Sequence, residues 1–221
     1  MNVTNDGAAP APRRSGRIGD GASFLLETLR ARPAARRVLS GVSVLLAVFA
    51  VGLLAYPMYT NLYQDRLQSK LAIEFKKAET KKAFVAGETA IGDPITKISI
   101  PAADLKPTVV VEGTGASALR AGAGHYPNTP LPGQEGNVGI AGHRDTFFRP
   151  LRNIQADDII TLTTQQGEYR YRVVSTKVVR PENVEVLSSD GGEVLTLVTC
   201  YPFYYLGSAP DRFIVRASRV T

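Results

Sequence analysis

Sulfur and imidazole are scarce in this sequence: of 221 residues one is cysteine, Cys200, and two are histidine, His125 and His143. A single cysteine excludes an internal disulfide. A metal centre would have to draw on His125, His143 and Cys200, which lack any usual zinc spacing, so no metal and no cofactor is expected. No acidic cluster points to calcium, and no internal repeat is visible. Excess basic charge is small outside the first stretch of chain. The formal net charge is +6, and residues 1–37 carry seven arginines against Asp6, Asp20 and Glu27, so four of those six charges lie there. A nucleic-acid binder holds its excess charge on a folded face, and no nucleic-acid partner is expected here.

Charge is also missing from Val38 to Tyr59, where Val44–Ala55 is almost wholly aliphatic. Twenty-two helical residues rise about 33 Å, enough to cross a hydrocarbon core of roughly 30 Å. A cleaved signal peptide is the competing reading. Its apolar region is shorter and ends at a small-residue cleavage site, whereas this run is longer, starts deep in the chain and has no clear site. Residues 38–59 are therefore expected to be a transmembrane anchor contacting membrane lipid. Arg30, Arg32, Arg36 and Arg37 crowd its N-terminal side, which keeps residues 1–37 cytoplasmic and puts everything after Tyr59 outside.

The chain opens with Met1 and is read as a whole product, one folded domain plus appendages. Residues 1–37, rich in Ala, Gly, Pro and Arg, are expected to be a basic disordered tail. Residues 60–90 have helical spacing and are expected to form a stalk. From residue 91 to 221 the texture is that of strands: Thr96–Ile100, Thr108–Glu112, Asn137–His143, Ile159–Thr164, Glu168–Arg180, Val194–Cys200 and Phe213–Val220. Helix-like pieces are confined to Ala116–Ala121 and Thr146–Ile154. This pattern predicts an all-β domain, a closed antiparallel barrel of about eight strands with short helices.

Three polar residues sit at strand edges: His143, Cys200 and Arg212. Cys200 and Arg212 are separated by the eleven-residue connection Tyr201–Asp211. Antiparallel pairing of their strands brings both to one rim, and parallel pairing would normally need a longer crossover. Acyl transfer needs a thiolate, a proton donor for the leaving amine and donors for the oxyanion, and Cys, His and Arg supply all three. Strand alternation puts Thr196, Val198 and Cys200 on one face. Thr196 is then expected at the pocket floor, and the amide or hydroxyl of Thr199 near the oxyanion.

Thr196-Leu197-Val198-Thr199-Cys200 resembles the TLxTC signature of sortases. Ala141-Gly142-His143-Arg144 is similar to their histidine segment, and Asp211-Arg212-Phe213-Ile214-Val215 to their arginine strand. The order His, Cys, Arg is also theirs, and the resemblance spans roughly residues 91–220. Cys200-Tyr201-Pro202-Phe203-Tyr204 and Gly136-Asn137-Val138 look most like class D, with class E next. The short Tyr201–Asp211 loop and the lack of a lid segment count against the pilus-polymerising class.

The resemblance implies a membrane-anchored cysteine transpeptidase. Cys200 attacks the Thr–Gly or Thr–Ala bond of an LPxTG-like sorting signal on a secreted protein. An amine acceptor, such as a peptidoglycan precursor, resolves the thioacyl intermediate. His143 acts as general acid then base, and Arg212 positions the signal and stabilises the oxyanion. Thr196, Val198 and Thr199 are the expected substrate-binding residues.

Each feature has a plainer counterpart. Cys200 could be a small buried hydrophobe, and Arg212 the partner of a surface carboxylate. His125, in the loop-like Gly122–Pro127, competes with His143, and Asp145 orients His143 or is a turn residue. Tyr126–Gly133 (YPNTPLPG) looks superficially like a sorting signal but lacks its order, and is expected to be a loop. The alternative functions are a hydrolase releasing its product to water and a non-enzymatic, membrane-tethered β-domain that binds an envelope polymer or partner.

Overall fold

The computed structural model describes residues 33–189, 191–205 and 207–220, apart from the side chain of Ala78. Most of the 1–37 tail, and Asp190 of the Asp190-Gly191-Gly192 turn, therefore lie outside the described residues. The chain divides at Met58/Tyr59 into two units. A 42-residue helix, α1 (Pro33–Glu74), is the one described helix long and apolar enough to cross a membrane. Its apolar side chains have no buried face; Leu45 and Leu54 are 72% and 78% exposed.

Within the second unit, the expected stalk region packs on the barrel. Phe75 and Phe84 are buried, the latter on a short helix α2 (Ala78–Ala86), and Phe84 joins the main core cluster. The Gln68 carboxamide accepts from the Val109 amide at 2.7 Å and donates to the Ala121 carbonyl at 2.6 Å. This segment is therefore joined to the domain by both packing and hydrogen bonds.

Eight strands among the described residues close into a barrel: β1 (Pro94–Ile100), β2 (Leu105–Glu112), β3 (Ala123–His125), β4 (Gly136–Gly142), β5 (Ile159–Thr163), β6 (Glu168–Val179), β7 (Glu193–Tyr201) and β8 (Asp211–Val220). Their order around the barrel is β1-β2-β3-β4-β7-β8-β6-β5. The closed eight-stranded barrel matches the sequence expectation, with one refinement. Pairings β2–β3 and β4–β7 are parallel and the others antiparallel, so the barrel is mixed. Helix α3 (Ala116–Ala121) falls where expected, whereas the second helix-like piece forms only a 3-10 turn, Arg149–Asn153. Strand β3 was not anticipated, because its three residues lie in a segment that reads as a loop.

The core is made by alternation. Ile98, Ile100, Ile140, Leu162, Leu195, Leu197, Val215 and Ala217 point into one continuous cluster. A smaller cluster, Val186, Val198 and Ile214, lies on the outer face of β7 and β8 under the β6–β7 connection. Strands β4 and β7 are thus covered on both faces, which suits parallel partners. Gly142 has no room for a side chain, since a Cβ would stand 2.6 Å from the Phe148 ring packed beneath the turn after His143.

Tyr171, on β6, is fully buried. Burial first, then the Glu193 carboxylate, pushes its phenol up to about 12, with Arg219 opposing. Below pH 10 the phenol is neutral in both states, so its contribution to stability is complete. Above that the unfolded chain ionises first, and the contribution falls away as pH rises toward 12. We expect about 3 kcal/mol to be lost across that window, and a shallower alkaline slope in Tyr171→Phe, measured by denaturant unfolding at stepped pH.

Candidate active site

Cys200 lies on β7 directly opposite Arg212 on β8 in the antiparallel ladder. The parallel β4–β7 ladder sets Gly142 beside Thr199, so His143, the next residue after β4, emerges next to Cys200. The three residues, separated by up to 69 positions in sequence, thus reach one rim of the barrel. They line a polar cavity of about 240 Å³ together with Arg144, Asp145, Gly207, Ser208 and Ala209. Cys200 is half-buried rather than enclosed, and its sulfur is free. Arg212 Nη1 donates to the carbonyls of Ala209 at 3.3 Å and Asp211 at 3.0 Å, which steers the guanidinium along the rim.

An apolar groove leads away from the other side of Arg212. Val179, Val186, Leu187, Val198 and Ile214 line it, with Tyr126 at its edge. It adjoins a larger hollow, about 520 Å³, between Tyr126–Pro130 and Val184–Ser189. Val198 is therefore in the groove. Thr196 stands one layer back: fully buried, it donates its hydroxyl to Asn137 Oδ1 at 2.7 Å. Asn137 Nδ2 in turn donates to the carbonyls of Val186 and Ser188, both at 3.1 Å, and so holds the groove wall. The Thr199 hydroxyl is donated to the Gly142 carbonyl at 2.7 Å, locking the cysteine strand to the histidine strand.

His125 is away from this cavity. It is 1% exposed, with Nδ1 2.9 Å from the Glu112 carboxylate, itself buried. Its Nε2 is 3.0 Å from the Pro130 carbonyl, an acceptor only, so that nitrogen carries a proton. Thr129 Oγ1, also 3.0 Å from Nε2, donates to the Tyr126 carbonyl and accepts from the Gly139 amide. These bonds fasten the Tyr126–Pro130 loop to β4. Tyr126 is the residue the sequence reading passed over. Burial raises its phenol, while the nearby charge of Arg212 lowers it and that of Cys200 raises it. The available signal was an aromatic ring directly after one of the two histidines.

The barrel and its cysteine-histidine-arginine rim suit cysteine acyl transfer, and the comparison with known proteins gives the family. The sortase domain model matches residues 98–220. Over 141 residues the chain is 38% identical to sortase D of Bacillus subtilis (strain 168), covering 63% of this chain and 70% of that protein. Among solved structures, the Clostridium perfringens sortase D5 transpeptidase superposes with a TM-score of 0.61 at 29% identity, covering 72% of this chain and 98% of that one. Sortase E from Streptomyces avermitilis superposes with a TM-score of 0.52 at 31% identity, covering 60% and 91%. The chain belongs to the sortase family and is a cysteine transpeptidase. The non-enzymatic β-domain gives way to that reading.

Proposed function

We propose that this protein is a single-pass, membrane-anchored sortase, nearest class D. On this reading it cleaves an LPxTG-like signal at Cys200 and passes the protein to an amine on the cell envelope. The observation that carries the reading is the shared cavity of Cys200, His143 and Arg212 beside an apolar groove. The groove suits the leucine and proline of such a signal, with Val198 in contact and Tyr126 at the edge. Thr196 and Thr199 act by holding the groove wall and the histidine strand. The thiolate attacks the threonine carbonyl carbon, His143 protonates the leaving amine as the C–N bond breaks, and Arg212 stabilises the oxyanion. Residues 38–59 serve as the anchor, with 1–37 cytoplasmic, supported by the exposed apolar helix and by Arg36 and Arg37 at its start. Residues 60–90 link the anchor to the catalytic domain, residues 91–221, outside the membrane.

The test uses the full chain in detergent with a library of Leu-Pro-X-Thr-Gly and Leu-Pro-X-Thr-Ala peptides. Adding triglycine is expected to divert product from the free acid to the peptide–triglycine adduct. Product that stays entirely free acid at every triglycine concentration would identify a hydrolase instead.

A further inference from the structure

The connection between β7 and β8 carries Gly207, Ser208 and Ala209, one wall of the polar cavity. Among the described residues, no backbone–backbone hydrogen bond ties residues 203–209 to another element. Its beginning is packed by rings, with Phe203 and Phe213 centroids 5.4 Å apart. Its middle is gripped by Arg144. The Nη1 of Arg144 donates to the Pro202 carbonyl at 2.8 Å, and Nη2 donates to those of Tyr205 at 2.8 Å and Gly207 at 2.9 Å. The guanidinium carbon also lies 5.8 Å from the Tyr205 ring centroid. Arg144 directly follows His143, so one side chain ties the histidine turn to the loop that joins Cys200 to Arg212.

The two hollows at the rim differ in chemistry. The groove on one side of Arg212 is lined mainly by aliphatic side chains, and the cavity on the other is polar and contains His143 and Cys200. An apolar sorting signal takes the groove, so the departing and incoming amines use the polar cavity. There the acceptor nitrogen bonds to the thioester carbonyl carbon and its proton passes to His143. The C–S bond breaks and the sulfur leaves as the Cys200 thiolate. Water attacking the same carbon gives hydrolysis.

We propose that Arg144 is a positioning residue for the second half-reaction: it holds the β7–β8 connection as the wall that admits an amine in preference to water. This rests on the sortase reading above. A planar fork reaches three carbonyls at once, whereas a lysine ammonium in the same place is a point donor with poorer reach.

The experiment compares the full-length parent, Arg144→Ala and Arg144→Lys in detergent, with the Leu-Pro-X-Thr-Gly library as donor and triglycine as amine. Three quantities are read: the rate of Cys200 acylation without amine, the aminolysis-to-hydrolysis ratio at fixed triglycine, and amide exchange in residues 203–209. For Arg144→Ala we expect the ratio to fall about tenfold, the equivalent of one lost charge-assisted hydrogen bond, with the rate of acylation lowered by a smaller factor. Exchange in the connection should quicken, and Arg144→Lys should fall between the two. An unchanged ratio overturns the proposal. So does a uniform fall in acylation and both products, which marks a merely structural role. Should the alanine variant not fold, the lysine variant carries the same comparison. Absence of any acyl adduct in the parent would overturn the sortase chemistry itself, whereas a normal adduct with a constant ratio overturns only the role of Arg144.

Discussion

Arg212→Ala is expected to lower kcat/KM for a sorting peptide by about a hundred- to a thousandfold, the usual cost of removing one oxyanion donor. The reason is its placement. Arg212 faces Cys200 across the ladder and borders both the polar cavity and the apolar groove. Its Nη1 is already engaged by the Ala209 and Asp211 carbonyls, which fixes the direction of the fork. Arg212→Lys keeps the charge but loses that fork, so it should recover only a small part of the loss. Steady-state kinetics on the full chain, with thermal unfolding to verify the fold, gives the answer. An alanine variant within about threefold of the parent would remove Arg212 from the chemistry.

Glu112→Ala should have the largest effect on stability. It leaves His125, 1% exposed, facing a void where a carboxylate stood 2.9 Å away. Leaving one partner of a buried hydrogen bond unsatisfied costs about 1–3 kcal/mol, to which the void adds, on the order of 5 °C or more in Tm for a domain of this size. Glu112→Gln should cost less, because its amide can donate to an unprotonated Nδ1 while Nε2–H keeps its bond to Pro130. Equal unfolding midpoints for the alanine variant and the parent would show that the pair contributes nothing. Because His125 and Thr129 fasten the loop that carries Tyr126 to the groove, the alanine variant should also lose activity as the loop loosens.

Much of the fold was legible because most strands alternate and are separated by Pro and Gly turns. The hairpin Ile159–Arg180 appears as β5 and β6, and the eleven-residue connection from Cys200 to Arg212 correctly implied antiparallel neighbours. The β4–β7 pairing was not legible. Both strands are buried on both faces, so neither shows an alternation, and they lie more than 50 residues apart. Yet that pairing brings His143 to Cys200, and residue patterns alone would have left His125 in contention. Burial against Glu112 is a three-dimensional fact: Glu112 and His125 meet only because β2 and β3 run parallel. Thr196 shows the same limit. Alternation put it on the cysteine face, but its hydroxyl is turned to Asn137 on a neighbouring strand, and nothing local records that partner. Tyr126 escaped notice because it lies in a proline-rich loop whose path is set by bonds to Gly139 and Thr129.

The proposed chemistry requires Cys200 to carry the acyl group at an open rim. Intact-mass analysis of the full chain, quenched after mixing with the peptide library and no amine, tests this most directly. We expect one acyl fragment added per chain, mapped by digestion to the peptide containing Cys200, released by hydroxylamine and missing in Cys200→Ala. An adduct that persists in Cys200→Ala, or peptide cleavage at the parent rate in that variant, would contradict it.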